Sequence, residues 1–171
     1  RAKHYDLIIV MLGVEKENPM KLCKRIKQKY PYIPTFLLLN SPGDVDFIKK
    51  KKEKGFPYDD YFVWTGETRV FFAMVKLLED RVNVENDTRK GLTRVIMLVE
   101  DSADYYSKYL PTLYTLVMEQ TKHLIEEVSS DELYKVLKMR ARPKILLATT
   151  YEEALAIYNR YKNNMLCVIS D

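Results

Sequence analysis

The sequence predicts an α/β fold built around a mostly parallel sheet. Short continuous apolar runs alternate with amphipathic stretches of helical period along the whole chain, and clusters of Pro, Gly, Asn and Asp separate them. The chain has 171 residues, the size of one domain or two small ones. At 47% hydrophobic and 30% charged it lies outside the disordered, fibrous and low-complexity classes.

Tyr5–Leu12 is a continuous apolar run of the buried-strand type. Asn18 followed by Pro19 marks a helix start, and Leu22, Cys23, Ile26 and Tyr30 line one face until Pro31 and Pro34 close it. Thr35–Leu39 reads as a second buried strand ending at the turn cluster Asn40-Ser41-Pro42-Gly43. A helix starts near Asp44, carries Val45, Phe47 and Ile48, and stops at Gly55. Tyr58–Trp64 is the third strand. Beyond Gly66, Val70, Phe71, Met74, Val75, Leu78 and Val82 recur at helical spacing. The polar stretch 83–91 then reads as a linker, which divides the chain into 1–82 and 92–171.

The second half opens with a strand over Thr93–Val99, stopped by Glu100-Asp101-Ser102. A long helix follows with Tyr106, Tyr109, Leu113, Leu116, Val117, Leu124 and Val128 on its apolar face, and Pro111 inside it predicts a kink. Ser129 and Glu132 have capping-box spacing, so a short helix is expected over 131–140. Lys144–Ala148 is the next strand. Thr150 and Glu153 repeat the capping-box spacing ahead of a helix whose buried face is Ala154, Leu155, Ile157, Tyr158 and Tyr161. Met165–Ser170 is the last strand, and Asp171 follows it.

Composition excludes several classes of function. The longest apolar run, Leu7–Leu12, is far short of the ~20 residues a membrane span needs, and no secretory signal pattern opens the chain, so a cytoplasmic protein without a membrane partner is expected. With 28 basic and 24 acidic residues the net charge is +4, too mild for a dedicated nucleic-acid binder. The lysines at 49–52 and 54 circle a helix and read as a solvated face, so no nucleic-acid partner is expected. Cys23 and Cys167 lie within apolar patterns away from metal-ligand spacing and read as buried free thiols. His4 and His123 stand alone. Tyr105, Tyr106, Tyr109 and Tyr114 cluster on the long helix, either as amphipathic packing or as a contact surface for another subunit. The glycine-rich phosphate-cradle motifs of nucleotide enzymes do not occur.

Ligands of open parallel sheets collect beyond the carboxyl ends of the strands. Two such ends carry acids: Glu100 with Asp101, and Asp171. Were those strands neighbours, three carboxylates would converge and repel one another unless a cation neutralised them, and Mg²⁺ is the natural candidate. One carboxylate could then accept a phosphoryl group. The competing explanation is that Asp101 or Ser102 merely caps the following helix.

The runs V-I-M-L-V-E-D-S at 95–102 and M-L-C-V-I-S-D at 165–171 resemble the first and third strands of a response-regulator receiver domain. The resemblance implies a flavodoxin-like three-layer α/β sandwich of strand order 2-1-3-4-5. It also implies Mg²⁺ held by Glu100, Asp101 and Asp171, and Asp171 as phosphoacceptor from a histidine kinase or other phosphodonor. Residues 5–82 resemble the latter part of a receiver, its third to fifth strands, with the chemistry lost. Met11 takes the phosphoacceptor position, Trp64 in D-Y-F-V-W-T-G takes the lysine position, and the hydroxyl position falls on Leu39 to Ser41.

The strands thus arrive in the circularly permuted order 3-4-5, then 1-2-3. The chain reads as a fragment spanning a degenerate receiver and the front of a second. L-K-M-R-A-R-P-K-I-L-L-A at 137–148 and the extended helix before it resemble tandem receiver-like regions at the front of phosphoenolpyruvate synthase or pyruvate, phosphate dikinase-like proteins. The expectation is a regulatory module and not a self-sufficient enzyme, with the remaining domains of a larger chain as partners. The two halves are expected to complete one sheet, within a chain or by strand exchange in a homodimer. The alternative is a non-phosphorylated pseudo-receiver that serves as a dimerisation or docking module.

Overall fold

The computed structural model describes residues 5–13, 17–91, 93–126 and 142–171. The chain divides into two compact units, Arg1–Val70 and Phe71–Asp171. In the first, β1 (Ile8–Met11), α1 (Glu17–Lys29), β2 (Thr35–Leu39), a 3-10 turn (Pro42–Asp44), α2 (Val45–Glu53) and β3 (Asp60–Val63) follow in order, and α3 (Arg69–Gly91) starts at its end. The second unit holds the rest of α3, β4 (Val95–Val99), α4 (Ala103–Glu126), β5 (Lys144–Ala148), α5 (Tyr151–Tyr161) and β6 (Met165–Ser170).

Each unit has its own three-stranded parallel sheet, ordered β1-β2-β3 in the first and β5-β4-β6 in the second. β2 and β5 are buried at every position, which is why T-F-L-L-L and K-I-L-L-A read as continuous apolar runs and not as alternating ones. The first core gathers Leu12, Met20, Cys23, Phe36, Leu37, Leu38, Ile48 and Phe62, all fully or almost fully buried. The 3-10 turn is entered through Ser41, whose hydroxyl accepts from the Gly43 N–H at 3.2 Å, and Gly55 takes the left-handed conformation (φ 78°) that ends α2.

Four expectations are corrected. Residues 83–91 are not a linker but the last part of α3, whose buried stripe Leu77, Asp80, Val84 and Thr88 carries helical spacing straight through the polar stretch. Among the described residues the strands of each half pair only with one another, as two three-stranded sheets and not the single composite sheet expected. Cys167 is exposed: β6 is an edge strand, and Leu166, Val168 and Ile169 beside it are 51%, 46% and 38% exposed. Val75, Val82, Tyr109, Leu116, Leu155 and Tyr158, assigned to apolar helix faces by spacing, are exposed as well, because a three-stranded sheet offers too little width to cover them.

α4 runs unbroken through Pro111, where the Ser107 carbonyl receives no bond from residue 111 because proline has no N–H. The short helix expected over 131–140, with its Ser129 and Glu132 cap, falls outside the described residues, as does His4. Among the described residues no helix is long and apolar enough to cross a membrane.

Candidate functional site

β4 and β6 are direct neighbours, with Val99 paired to Ser170. The residue after each is acidic, so the sheet itself brings Glu100 and Asp171 side by side, and Asp101 joins them from the next position. Carboxylate oxygens of Glu100, Asp101 and Asp171 all lie within 4.8 Å of one another. An irregularity in β6 opposite Val95 and Ile96, where Leu166 is the extra residue, sets this register. Without it the strand would end one residue out of step with β4.

Glu100 is buried (3% exposed), whereas Asp101 and Asp171 are exposed. Its backbone N–H donates to the Ala148 carbonyl at 3.0 Å, which ties it to the end of β5. Glu100 Oε1 accepts from the Ser102 N–H at 2.9 Å, and the Ser102 carbonyl accepts from Tyr105 and Tyr106 in the first turn of α4. The capping role weighed for Asp101 or Ser102 therefore belongs to Glu100, which spends one oxygen on it. Asp101 and Asp171 project free of that duty. Two exposed carboxylates and one half-engaged buried one form an all-oxygen donor set that could hold a hard divalent cation.

In the first unit Met11 is the last residue of β1 and pairs with Leu38, Ser41 lies two positions past β2, and Trp64 directly follows β3. Met11 is 52% exposed, the Ser41 hydroxyl is used in its turn, and the Trp64 backbone N–H donates to the Leu39 carbonyl at 2.7 Å. None of these three positions carries a carboxylate.

A second polar constellation was not apparent from the sequence. Asp80 of α3 is fully buried and accepts from both terminal nitrogens of Arg142 (2.6 and 3.0 Å), from the Ile145 N–H (2.8 Å) and from the Tyr114 hydroxyl (3.2 Å). Lys144 lies 3.8 Å from Asp80 and 2.9 Å from Asp87. Burial, then the Asp80 charge, pushes the Tyr114 hydroxyl well above its ordinary range. Burial alone would lower the Arg142 guanidinium, but the bonds and charge of Asp80 outweigh it and raise it. The signal available was an acid at a stripe position of α3. This network stands at the start of β5, and the three acids stand at the far ends of β4 and β6, so Lys144 is a structural cation of the opposite end of the sheet.

No family model, curated protein or solved structure matches this chain.

Proposed function

We propose that the second unit is a receiver-like signalling module in which Glu100, Asp101 and Asp171 hold Mg²⁺ and Asp171 accepts a phosphoryl group. The observation that carries this reading is the convergence of three carboxylates from the ends of two paired parallel strands. Strand order supports it. Taken with the chain positions, β5-β4-β6 is the 2-1-3 portion of the flavodoxin-like order 2-1-3-4-5, and β1-β2-β3 follows its 3-4-5 portion.

A carboxylate oxygen of Asp171 attacks the phosphorus of a phosphohistidine or acyl phosphate. The bond to the donor breaks, its electron pair leaves with the donor, and an aspartyl phosphate remains. A Mg²⁺ ion held by Glu100, Asp101 and Asp171 would supply charge neutralisation for the phosphoryl oxygens. Glu100, fixed by its bond to Ser102, is the rigid member of the donor set, while Asp101 and Asp171 keep the access to solvent that a phosphodonor needs. A histidine-kinase donor places the module in the cytoplasm, as a regulatory segment of a larger phosphotransferase and not as a self-sufficient enzyme. The first unit, with Met11 and Trp64 at its strand ends, serves as a pseudo-receiver that docks and does not react.

The test is incubation of the 171-residue chain with acetyl phosphate and Mg²⁺, borohydride trapping of the acyl phosphate and peptide mapping. Asp171 is the expected position of label. Asp171→Asn should abolish it, and Glu100→Gln should reduce it together with Mg²⁺ affinity in a calorimetric titration. Absence of label with Mg²⁺ binding intact would leave a metal site without phosphotransfer, and absence of both would leave the docking role alone.

A further inference from the structure

The face of α4 turned away from the core is not a random assortment of exposed residues. Ala103, Tyr106, Ser107, Leu110, Pro111, Tyr114 and Thr121 are its buried residues. On the opposite side Tyr105, Tyr109, Thr112, Leu116, Glu119 and His123 are all exposed, at spacings of four, three, four, three and four. That is the two-residue seam of a heptad, the pattern with which one helix packs along another. It spans about 27 Å at 1.5 Å per residue. Tyr105 and Tyr109 stack at 5.9 Å with their rings 13° apart, and with Leu116 they are the three aromatic or apolar members of the seam, beside Thr112, Glu119 and His123. These three are 51%, 45% and 52% exposed.

We propose that this face is the interface of a homodimer in which α4 packs antiparallel against α4 of a second copy. The occupant follows from the register and the charges. An antiparallel copy centred at the level of Tyr114 sets Tyr105 opposite His123, Tyr109 opposite Glu119 and Thr112 opposite Leu116, so every seam residue meets another seam residue. Lys108 flanks the seam on the same side as Glu119. The two-fold axis of such a pair keeps flanks matched, so Lys108 of each copy approaches Glu119 of the other, twice per dimer. Lys108 already bonds Asp104 within its own helix at 2.6 Å and stays half exposed, which leaves its ammonium donors for a second carboxylate. A parallel pair would set the seam residue Glu119 against its own copy and hold Lys108 and Glu119 eleven residues apart along the helices, so neither ion pair could form. The pattern is complementary to itself reversed, and that property singles out another copy of this chain.

Sedimentation velocity of the chain from about 1 to about 500 µM, the range that reads a dissociation constant of micromolar order, tests this. The expected result is a reversible shift from the 20.2 kDa monomer toward twice that mass. Lys108→Glu and Glu119→Lys, both at exposed positions, should each weaken the dimer by about tenfold or more. An equimolar mixture of the two variants should associate as tightly as the unsubstituted chain, because each mixed dimer restores both ion pairs. Leu116→Asp should leave a monomer with unchanged far-ultraviolet circular dichroism. A chain monomeric at every concentration overturns the proposal. So does a dimer indifferent to both charge reversals, or one that their mixture fails to rescue, since either outcome places the contact elsewhere or with another geometry.

Discussion

Asp80 enters the core of the second unit as a charge and is met there by the Arg142 guanidinium, the Ile145 N–H and the Tyr114 hydroxyl. Replacing it with Asn keeps the shape but leaves Arg142 buried without its counter-charge, while Lys144 keeps Asp87. A loss of about 3–5 kcal/mol in urea unfolding is the expected cost, and replacing Arg142 and Asp80 together by apolar residues should cost less than Asp80→Asn alone. The sequence carried one clue to this network, an acid on the apolar stripe of α3. The partners were invisible because Arg142 and Lys144 lie more than sixty positions away and only tertiary packing unites them. Cys23 provides a second prediction at this scale. It is fully buried, and burial pushes its thiol up to about 11 from 9.0, with its backbone bond and Lys27 pulling back. A raised folded pKa means the native state holds its proton longer than the unfolded chain does. The thiol's contribution is therefore complete below about pH 9 and falls away as pH rises toward 11, by about 2–3 kcal/mol. Unfolding curves of the chain and of Cys23→Val across that interval should diverge accordingly. At pH 8 a thiol reagent should modify exposed Cys167 at once and Cys23 only on unfolding.

At the level of elements, α5 shows local chemistry read correctly and then refined. Thr150 caps it, its hydroxyl accepting from the Glu153 N–H at 3.2 Å, as the capping-box spacing predicts. The return bond goes one residue further back than that motif implies, since the Glu153 carboxylate accepts from the Thr149 N–H at 2.8 Å and the Thr149 hydroxyl at 2.9 Å. Thr150→Ala should cost about 1 kcal/mol in thermal or urea unfolding, and Thr150→Gly less. α3 shows the opposite case. N-V-E-N-D-T-R-K-G is polar enough to pass for a linker, yet a surface helix needs only one buried stripe, and Val84 with Thr88 suffices to continue it. The Thr88 hydroxyl donates back to the Val84 carbonyl at 2.7 Å and so needs no outside partner. Composition averages over a helix's faces and therefore hides such a stripe.

Across the molecule, the six strands and their parallel pairing were legible because fully buried parallel strands are apolar at consecutive positions. That the halves keep separate sheets was not, because strand pairing across a long separation leaves no local trace. β6 is where the separation shows. It pairs with β4 on one side, and Leu166, Val168 and Ile169 remain exposed. Such an edge is a template for unwanted strand addition, and Val168→Lys should raise the concentration at which the protein becomes turbid while shifting its unfolding midpoint little. The acidic cluster was legible from sequence to the extent that two strands end in acids; their adjacency depended on β4 and β6 pairing with Val99 opposite Ser170.

Glu100 belongs at once to the carboxylate cluster and to the first turn of α4, through a single bond to Ser102. A cation that recruits Oε1 competes with that N–H, and by reciprocity whatever steadies the helix start holds the oxygen back. A cation bound at the strand ends would therefore meet the start of a 24-residue helix through this one carboxylate.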